Sequence, residues 1–203
     1  MQIIFDFDNT LYSEPLFVSR LRERYRAHGI DEHLYNEAKK DAYKGIMWQQ
    51  FLHMELLAEK SPVPLADIHT AFHGVVAEGS SFLYPDVLVF LEQAHKTHPL
   101  TLLTYGEDRF QRLKIAGAGI EKFFQDIIIT RDLTKADEVR VAALGESTLF
   151  VEDNPHALQA VKEQVPHVVT VRVCRGDGKY ASEPSGMGVD YEIKDLSELI
   201  KLI

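Results

Sequence analysis

The sequence has little cysteine, no long apolar run and no excess of positive charge. Cys174 is the only cysteine among 203 residues, so no disulfide can form within the chain, and a reducing compartment is expected. No apolar run approaches the roughly 18–20 residues that a membrane-spanning helix needs. The formal net charge of −9 argues against general binding to nucleic acid or to an anionic membrane. These absences predict a cytoplasmic protein that binds neither nucleic acid nor membranes.

Four local features invite a functional interpretation, but a simpler explanation is available for each. Cys174 lies in an apolar run without a nearby His or Asn to support catalysis, so a buried thiol is expected. The arginines within residues 20–26 spread around a helix rather than forming a stripe. His69 and His73 have a spacing that zinc ligands can use, but no third ligand is evident. The triplet at 175–177 has the composition of a turn.

Short apolar segments alternate with helical patterns in most of the chain. Strands are predicted at residues 2–5, 100–104, 126–130, 148–151 and 168–173, with a sixth candidate at 191–193. Helices are predicted between them at 87–95, 109–116, 136–144 and 157–164, and a closing helix over 195–203. This alternation is typical of an α/β fold with a Rossmann-like, doubly wound parallel sheet.

The stretch after the first strand has a different pattern. From residue 13 to about residue 81 apolar side chains recur at helical spacing, and no strand is convincing. Four helices are predicted there, the second running from residue 31 to about residue 44. The expected organisation is therefore a core of residues 1–12 and 84–203 with an all-helical insert over 13–83.

Two carboxylates, Asp6 and Asp8, follow the first strand directly. In extended backbone a spacing of two residues places both on the same face. Like charges at that distance are costly unless a cation or a shared proton separates them. A nucleophilic carboxylate beside a second carboxylate that exchanges protons is useful chemistry, especially with a divalent metal. An acidic loop without function is the alternative for these two residues taken alone.

Other predicted strands also end in polar side chains, and ligands of parallel sheets bind beyond the carboxyl ends of the strands. The candidates are Thr104 and Tyr105 on the second strand, Arg131 and Lys135 after the third, and Glu152 and Asp153 after the fourth. Alone, a threonine here is usually a helix cap and a lysine a solvated residue. Together, several carboxylates, a hydroxyl and an ammonium group favour a hard cation and a phosphate over zinc.

The order of these groups resembles, motif by motif, the haloacid dehalogenase-like (HAD) superfamily, and the resemblance covers nearly the whole chain. Residues 6–10, Asp-Phe-Asp-Asn-Thr, resemble its first motif, and the helical insert lies where the family has a type 1 cap. Residues 6–12 are especially similar to the pyrimidine-nucleotidase-like branch, and residues 151–153 to β-phosphoglucomutase-like members. The resemblance implies a Rossmann-like core that carries a cap.

The resemblance also implies a role for each candidate. Asp6 would be the nucleophile and Asp8 the general acid and base, while Thr104, Tyr105 and Lys135 would bind the phosphoryl group. The implied cofactor is Mg²⁺, with these ligands: Asp6, Asp8 through its backbone carbonyl, Glu152 and Asp153. One departure concerns the lysine, which the family commonly follows with proline; here Ala136 follows, so Arg131 remains an alternative to Lys135.

The implied function is a Mg²⁺-dependent phosphatase that forms an aspartyl-phosphate. A small phosphorylated metabolite is the expected substrate, with a nucleotide monophosphate or a sugar phosphate favoured. A β-phosphoglucomutase-like phosphomutase and a catalytically silent HAD-fold binding protein are the alternatives. Asp8 argues against dehalogenation, since that branch of the family lacks the second aspartate. Glu107 and Asp108 lie near the expected phosphate and could repel a highly anionic substrate. A monomer or a homodimer is expected.

Overall fold

The computed structural model describes residues 1–143 and 147–203. These residues pack as two compact units. The first consists of Met1–Glu14, Leu83–Tyr105 and Ile120–Ile203, and the second of Pro15–Phe82 and Gly106–Gly119. The helical segment after Tyr105 thus packs with the insert, although it follows a strand of the sheet. The division into a core and a cap as separate domains stays a prediction.

The α-helices of the described residues are α1 (Glu14–Ala27), α2 (Glu32–Asp41), α3 (Gln50–Lys60), α4 (Leu65–Ala77), α5 (Val87–Ala94), α6 (Asp108–Ala118), α7 (Ala136–Ala142) and α8 (Pro155–Gln164). The strands are β1 (Gln2–Phe5), β2 (Tyr43–Lys44), β3 (Met47–Trp48), β4 (Leu100–Tyr105), β5 (Asp126–Thr130), β6 (Thr148–Glu152), β7 (Val169–Val173) and β8 (Tyr191–Ile193). Short 3₁₀ helices span Gly79–Phe82, Glu121–Phe123 and Leu196–Lys201. None of the described helices combines the length and the apolar character that crossing a membrane requires.

The first unit is built on a six-stranded sheet with the order β5-β4-β1-β6-β7-β8. Every neighbouring pair is parallel, so the sixth strand, β8, is confirmed. Ile4 packs on one face within a buried cluster that includes residues of α7 and α8. Phe5 points to the other face, where its ring meets Phe90 of α5 at 5.9 Å. Helices therefore cover both faces, as the predicted doubly wound α/β fold requires.

In the second unit, close backbone approach and aromatic packing hold the helices together. The centroid of the Phe110 ring, in α6, lies 5.9 Å from that of Phe17 in α1 and 6.0 Å from that of Phe72 in α4. At Gly117 of α6 a Cβ atom would lie 2.1 Å from the carbonyl oxygen of Val76. A glycine is needed there because any side chain would push the two backbones apart.

Three predictions of secondary structure differ from the structure. The second helix ends at Asp41 rather than near residue 44, and β2 and β3 form a short antiparallel hairpin, so the insert is not entirely helical. Gly45, in the turn of this hairpin, has a φ of 62°, a left-handed conformation that suits glycine and that a right-handed helix running to residue 44 or 45 could not contain. The expected closing helix is instead the 3₁₀ segment Leu196–Lys201, whose first turn Asp195 caps by accepting from Ser197 N. The predicted end of a helix at residue 144 lies outside the described residues.

Candidate active site

The sheet order brings three of the predicted polar strand ends to neighbouring positions. Strand β1 lies between β4 and β6, and Phe5 is aligned with Leu102 and Val151. Asp6 continues the pairing, because its amide donates to the carbonyl oxygen of Val151 at 2.9 Å. Since parallel strands end at one edge, the residues that follow Phe5, Leu102 and Val151 meet there. Asp6, Thr104 and the Glu152–Asp153 pair therefore share this edge.

Three buried carboxylates form a cluster at this edge. Asp6, Glu152 and Asp153 each present an oxygen within 4.8 Å of the others, and their exposed fractions are 4%, 2% and 9%. Lys135, also buried, donates to Glu152 Oε2 at 2.6 Å and contacts Asp6. Glu152 Oε1 accepts the amides of Asp153 and Asn154, both at 3.1 Å. With one lysine against three carboxylates, the cluster is negative when all four groups are ionised.

Burial and mutual repulsion shift the pKa values of this cluster. Burial, reinforced by the charge of Glu152, raises the pKa of Asp6 to about 7. Burial together with Glu152 and Asp6 raises the pKa of Asp153 to about 10. Burial opposes the charge of Lys135, but Asp6 and Glu152 raise its pKa above the ordinary lysine value. A divalent cation would relieve the repulsion that raises the pKa of both aspartates.

The donor set of the cluster matches a hard cation. Carboxylate oxygens are the ligands of Mg²⁺ and Ca²⁺, whereas zinc prefers nitrogen and sulfur. Asp6, Glu152 and Asp153 therefore form a candidate metal site. The Asp8 carboxylate is not one of these three groups, and the predicted contact between its backbone carbonyl and a metal stays a prediction.

Asp8 lies in a tightly held loop. The carbonyl oxygen of Phe7 accepts the amides of Leu11 at 2.9 Å and Tyr12 at 3.0 Å. The rings of Phe7 and Tyr12 stack with centroids 4.7 Å apart. Asn9 has a φ of 61°, a left-handed conformation that asparagine tolerates better than most residues. This turn leaves Asp8 half-buried, two residues beyond Asp6.

The remaining predicted residues separate into buried and exposed ones. Thr104 is buried and Tyr105 half-buried at the end of β4. Lys135 lies in the carboxylate cluster, whereas Arg131 is exposed. The geometry thus brings Lys135 to the carboxylates. The phosphate-binding roles of Thr104, Tyr105 and Lys135 stay predictions.

Two further observations bear on the remaining sequence predictions. Glu107 was expected from the sequence to lie near the phosphate. Its carboxylate accepts the Gln50 amide at 2.8 Å within the second unit. Cys174 was expected to be buried, but it is half-buried, because it follows the end of β7.

Two arginines near the site were not predicted from the sequence to be site residues. Arg172, in β7, donates to the carbonyl oxygen of Asp153, and Arg175 donates to the carbonyl oxygen of Thr10. For Arg172 a signal exists, since a charged residue stands inside an otherwise apolar strand, between Val171 and Val173. For Arg175 no signal exists, because it lies in a polar segment with turn composition.

Comparison with solved structures shows the same fold in proteins of low sequence identity. A haloacid dehalogenase-like hydrolase from Burkholderia xenovorans matches with a TM-score of 0.79 and 21% identity, covering 98% of this chain and 94% of that one. The HAD-hydrolase YfnB from Bacillus subtilis, bound to magnesium, matches with a TM-score of 0.66 and 16% identity, covering 99% of this chain and 97% of that one. A HAD phosphatase from Thermococcus onnurineus matches with a TM-score of 0.66 and 20% identity, covering 99% of this chain and 96% of that one.

These similarities establish the fold but not the reaction, because dehalogenases share the fold as well. Among curated proteins none matches the chain. The family model described as haloacid dehalogenase-like hydrolase matches residues 2–165, which is most of the sequence and includes Asp6, Lys135 and Asp153. The chain therefore belongs to the haloacid dehalogenase-like hydrolase family.

Proposed function

We propose that this protein is a Mg²⁺-dependent phosphatase that hydrolyses a small phosphorylated metabolite through an aspartyl-phosphate on Asp6. The observation that carries the proposal is the buried cluster of Asp6, Glu152 and Asp153 with Lys135 in contact, beside a second aspartate, Asp8. A magnesium-bound relative and a phosphatase among proteins of the same fold support it. A nucleotide monophosphate or a sugar phosphate is the favoured substrate class.

The reaction has two steps: Asp6 first takes the phosphoryl group from the substrate, and water then removes it from Asp6. Asp6 attacks phosphorus in line, and the bond to the leaving oxygen breaks while Asp8 protonates that oxygen. Asp8 then accepts a proton from water, which attacks phosphorus and breaks the bond to Asp6. The products are an alcohol and inorganic phosphate. Lys135 and Thr104 would stabilise the phosphoryl oxygens, where charge develops.

Asp6, Glu152 and Asp153 are the groups that would hold Mg²⁺. When bound, the ion supplies positive charge that allows a carboxylate to approach an anionic phosphate. Asp8 favours phosphoryl transfer over carbon–halogen cleavage, because a halide leaves without a proton whereas an alkoxide needs one. A catalytically silent protein would have no use for this buried and mutually repelling set of carboxylates.

The test is phosphate release from a panel of nucleotide monophosphates and sugar phosphates, with and without Mg²⁺. The key variant is Asp6→Asn, and Asp137→Asn, on the exposed surface of α7, is its matched control. We expect Mg²⁺-dependent release by wild type and control and none by Asp6→Asn. Release by Asp6→Asn at the wild-type rate would contradict the proposal. If no compound is hydrolysed, isomerisation of the sugar phosphates would identify a phosphomutase.

A further inference from the structure

Arg172 is a buried cation at the candidate active site, and within residues 1–143 and 147–203 its hydrogen bonds are to uncharged groups. It is 2% exposed. Its Nε donates to the carbonyl oxygen of Asp153 at 3.2 Å. The two terminal nitrogens donate to the carbonyl oxygens of Glu183 and Tyr180, both at 2.8 Å, and to Ser185 Oγ at 2.9 Å. A buried charge with this many directed bonds fixes the geometry of what it holds.

These bonds fix the backbone of a candidate metal ligand from both sides. The Asp153 amide donates to Glu152 Oε1 at 3.1 Å, and the Asp153 carbonyl accepts from Arg172. The orientation of the peptide units on either side sets the direction of the side chain. These backbone contacts, together with the hydrogen bond that its side chain shares with Glu152, hold the Asp153 carboxyl group toward Asp6 and Glu152.

Arg175 holds the other site loop in the same way. Its Nε and one terminal nitrogen donate to the carbonyl oxygen of Thr10 at 3.0 and 2.8 Å. The other terminal nitrogen lies 2.9 Å from both carboxylate oxygens of Asp86, and the guanidinium lies 4.3 Å from the centre of the Tyr84 ring. Only 4% of this side chain is exposed. Thr10 is two residues beyond Asp8, in the loop that places Asp8.

Neighbouring contacts strengthen the hold on that loop. Asp177, in the turn that follows Arg175, accepts from Ser13 Oγ at 2.9 Å and from the Tyr84 hydroxyl. At Gly178 a Cβ atom would lie 2.7 Å from the side chain of Asn9, so the turn packs directly against the Asp8 loop. The triplet at 175–177, interpreted from the sequence as turn composition alone, therefore also binds other parts of the first unit.

We propose that Arg172 and Arg175, here called the arginine brace, are positioning residues for the reaction. Arg172 orients the metal ligand Asp153, and Arg175 orients the loop of the acid–base residue Asp8. Both act through backbone carbonyls, from one short segment at the end of β7. The proposal rests on the proposed phosphatase function.

The two halves of the brace have different expected effects, which a purely structural contribution would not produce. Arg172→Gln should weaken Mg²⁺ binding by about tenfold or more, as the loss of an outer-shell partner does. Arg175→Gln should lower kcat by about tenfold or more with little change in KM, because the acid is misplaced. It should weaken Mg²⁺ binding less than Arg172→Gln does, because it acts on the Asp8 loop and not on Asp153. The Lys variants should restore part of each loss, since an ammonium group can reach one of the acceptors but not all of them.

The experiment combines calorimetric titration with Mg²⁺, steady-state phosphate release and amide hydrogen exchange, on wild type, the four brace variants and Arg140→Gln. Arg140 is an exposed arginine of α7 and serves as the matched control. Faster exchange of amides 153–154 in Arg172→Gln, and of amides 8–11 in Arg175→Gln, is expected whether or not a substrate is found. If a Gln variant does not fold, the same measurements on the corresponding Lys variant replace it.

Two outcomes would overturn the proposal of an arginine brace. One is amide hydrogen exchange and Mg²⁺ affinity equal to wild type in both Gln variants. The other is an equal loss of Mg²⁺ affinity and an equal loss of kcat in both. A wild-type protein that neither binds Mg²⁺ nor releases phosphate would instead refute the proposed function. In that case the exchange measurement still decides whether the arginines hold the two loops.

Discussion

Lys135 donates a 2.6 Å hydrogen bond to Glu152 Oε2 while the same ammonium group contacts Asp6. Lys135→Met removes this cation from a buried cluster of carboxylates, so we expect phosphate release to fall by about 100-fold or more. Arg131→Met, a change four residues away at an exposed position, should release phosphate at close to the wild-type rate. Initial rates at saturating Mg²⁺ measure both. The reverse pattern would assign the role to Arg131.

A second prediction concerns the stability of the metal-free protein. The pKa of Asp153 is raised to about 10, so at pH 7 the folded metal-free chain must hold a proton that the unfolded chain releases. Asp153→Asn removes this cost, and the metal-free variant should melt a few degrees above wild type. The same change should abolish the rise in Tm that Mg²⁺ produces in wild type. Differential scanning calorimetry with and without Mg²⁺ checks both. Asp137→Asn is the control, and an equal Mg²⁺ response in Asp153→Asn would exclude Asp153 as a ligand.

His53 makes the stability of the second unit depend on pH. Burial, with a smaller effect from the charge of Lys39, lowers the pKa of His53 to about 4 from an ordinary value of 6.5. The unfolded chain therefore binds a proton at a higher pH than the folded chain does, and the free energy of unfolding falls as pH drops from 6.5 to 4. The loss from this group amounts to about 3 kcal/mol. Urea denaturation at several pH values measures it.

The matched variant for that measurement is His53→Gln. Its amide can replace the contact between His53 Nε2 and the carbonyl oxygen of Tyr35, which are 3.1 Å apart, and it does not titrate. The pH dependence of wild type should be steeper than that of the variant between pH 6.5 and 4. Parallel curves would show that His53 titrates equally in both states.

Two glycines of the second unit should respond in opposite directions to alanine. Gly117→Ala places a Cβ atom 2.1 Å from the Val76 carbonyl oxygen, so we expect a loss of about 2 kcal/mol or more. Gly74→Ala, inside α4, meets nothing within 4 Å and should gain roughly 0.5–1 kcal/mol from helix propensity. Chemical denaturation compares the two. Equal effects would mean that α4 and α6 separate easily at this contact.

The sheet and the carboxylate cluster could be predicted because they depend on short-range patterns. Each strand is a brief apolar run, and parallel strands must place their carboxyl ends at one edge. Asp6 and Glu152–Asp153 directly follow such runs, so their convergence required only that the strand order be right. That order was not predicted from the sequence; in the structure β1 lies between β4 and β6.

Other parts of the site depend on conformations and contacts that the sequence does not signal. Lys135 reaches the cluster with a φ of 57°, after a turn in which Asp132 accepts the Thr134 amide at 3.0 Å. Neither the left-handed lysine nor the direction of that turn follows from residue types. The bond between Arg175 and Thr10 likewise joins residues far apart in the chain, and local periodicity carries no information about such a pair.

The central position of β1 has a consequence for synthesis. Ile3 is paired with Leu100 and with Leu149, so a growing chain makes this strand long before either neighbour exists. The helices within Pro15–Phe82 mostly contact one another over short sequence distances and can form while the ribosome is still translating. The carboxylates cannot meet until Asp153 has left the exit tunnel. The nascent chain can therefore pack the second unit, whose last residue is Gly119, before β6 is made, whereas its acidic cluster can form only afterwards.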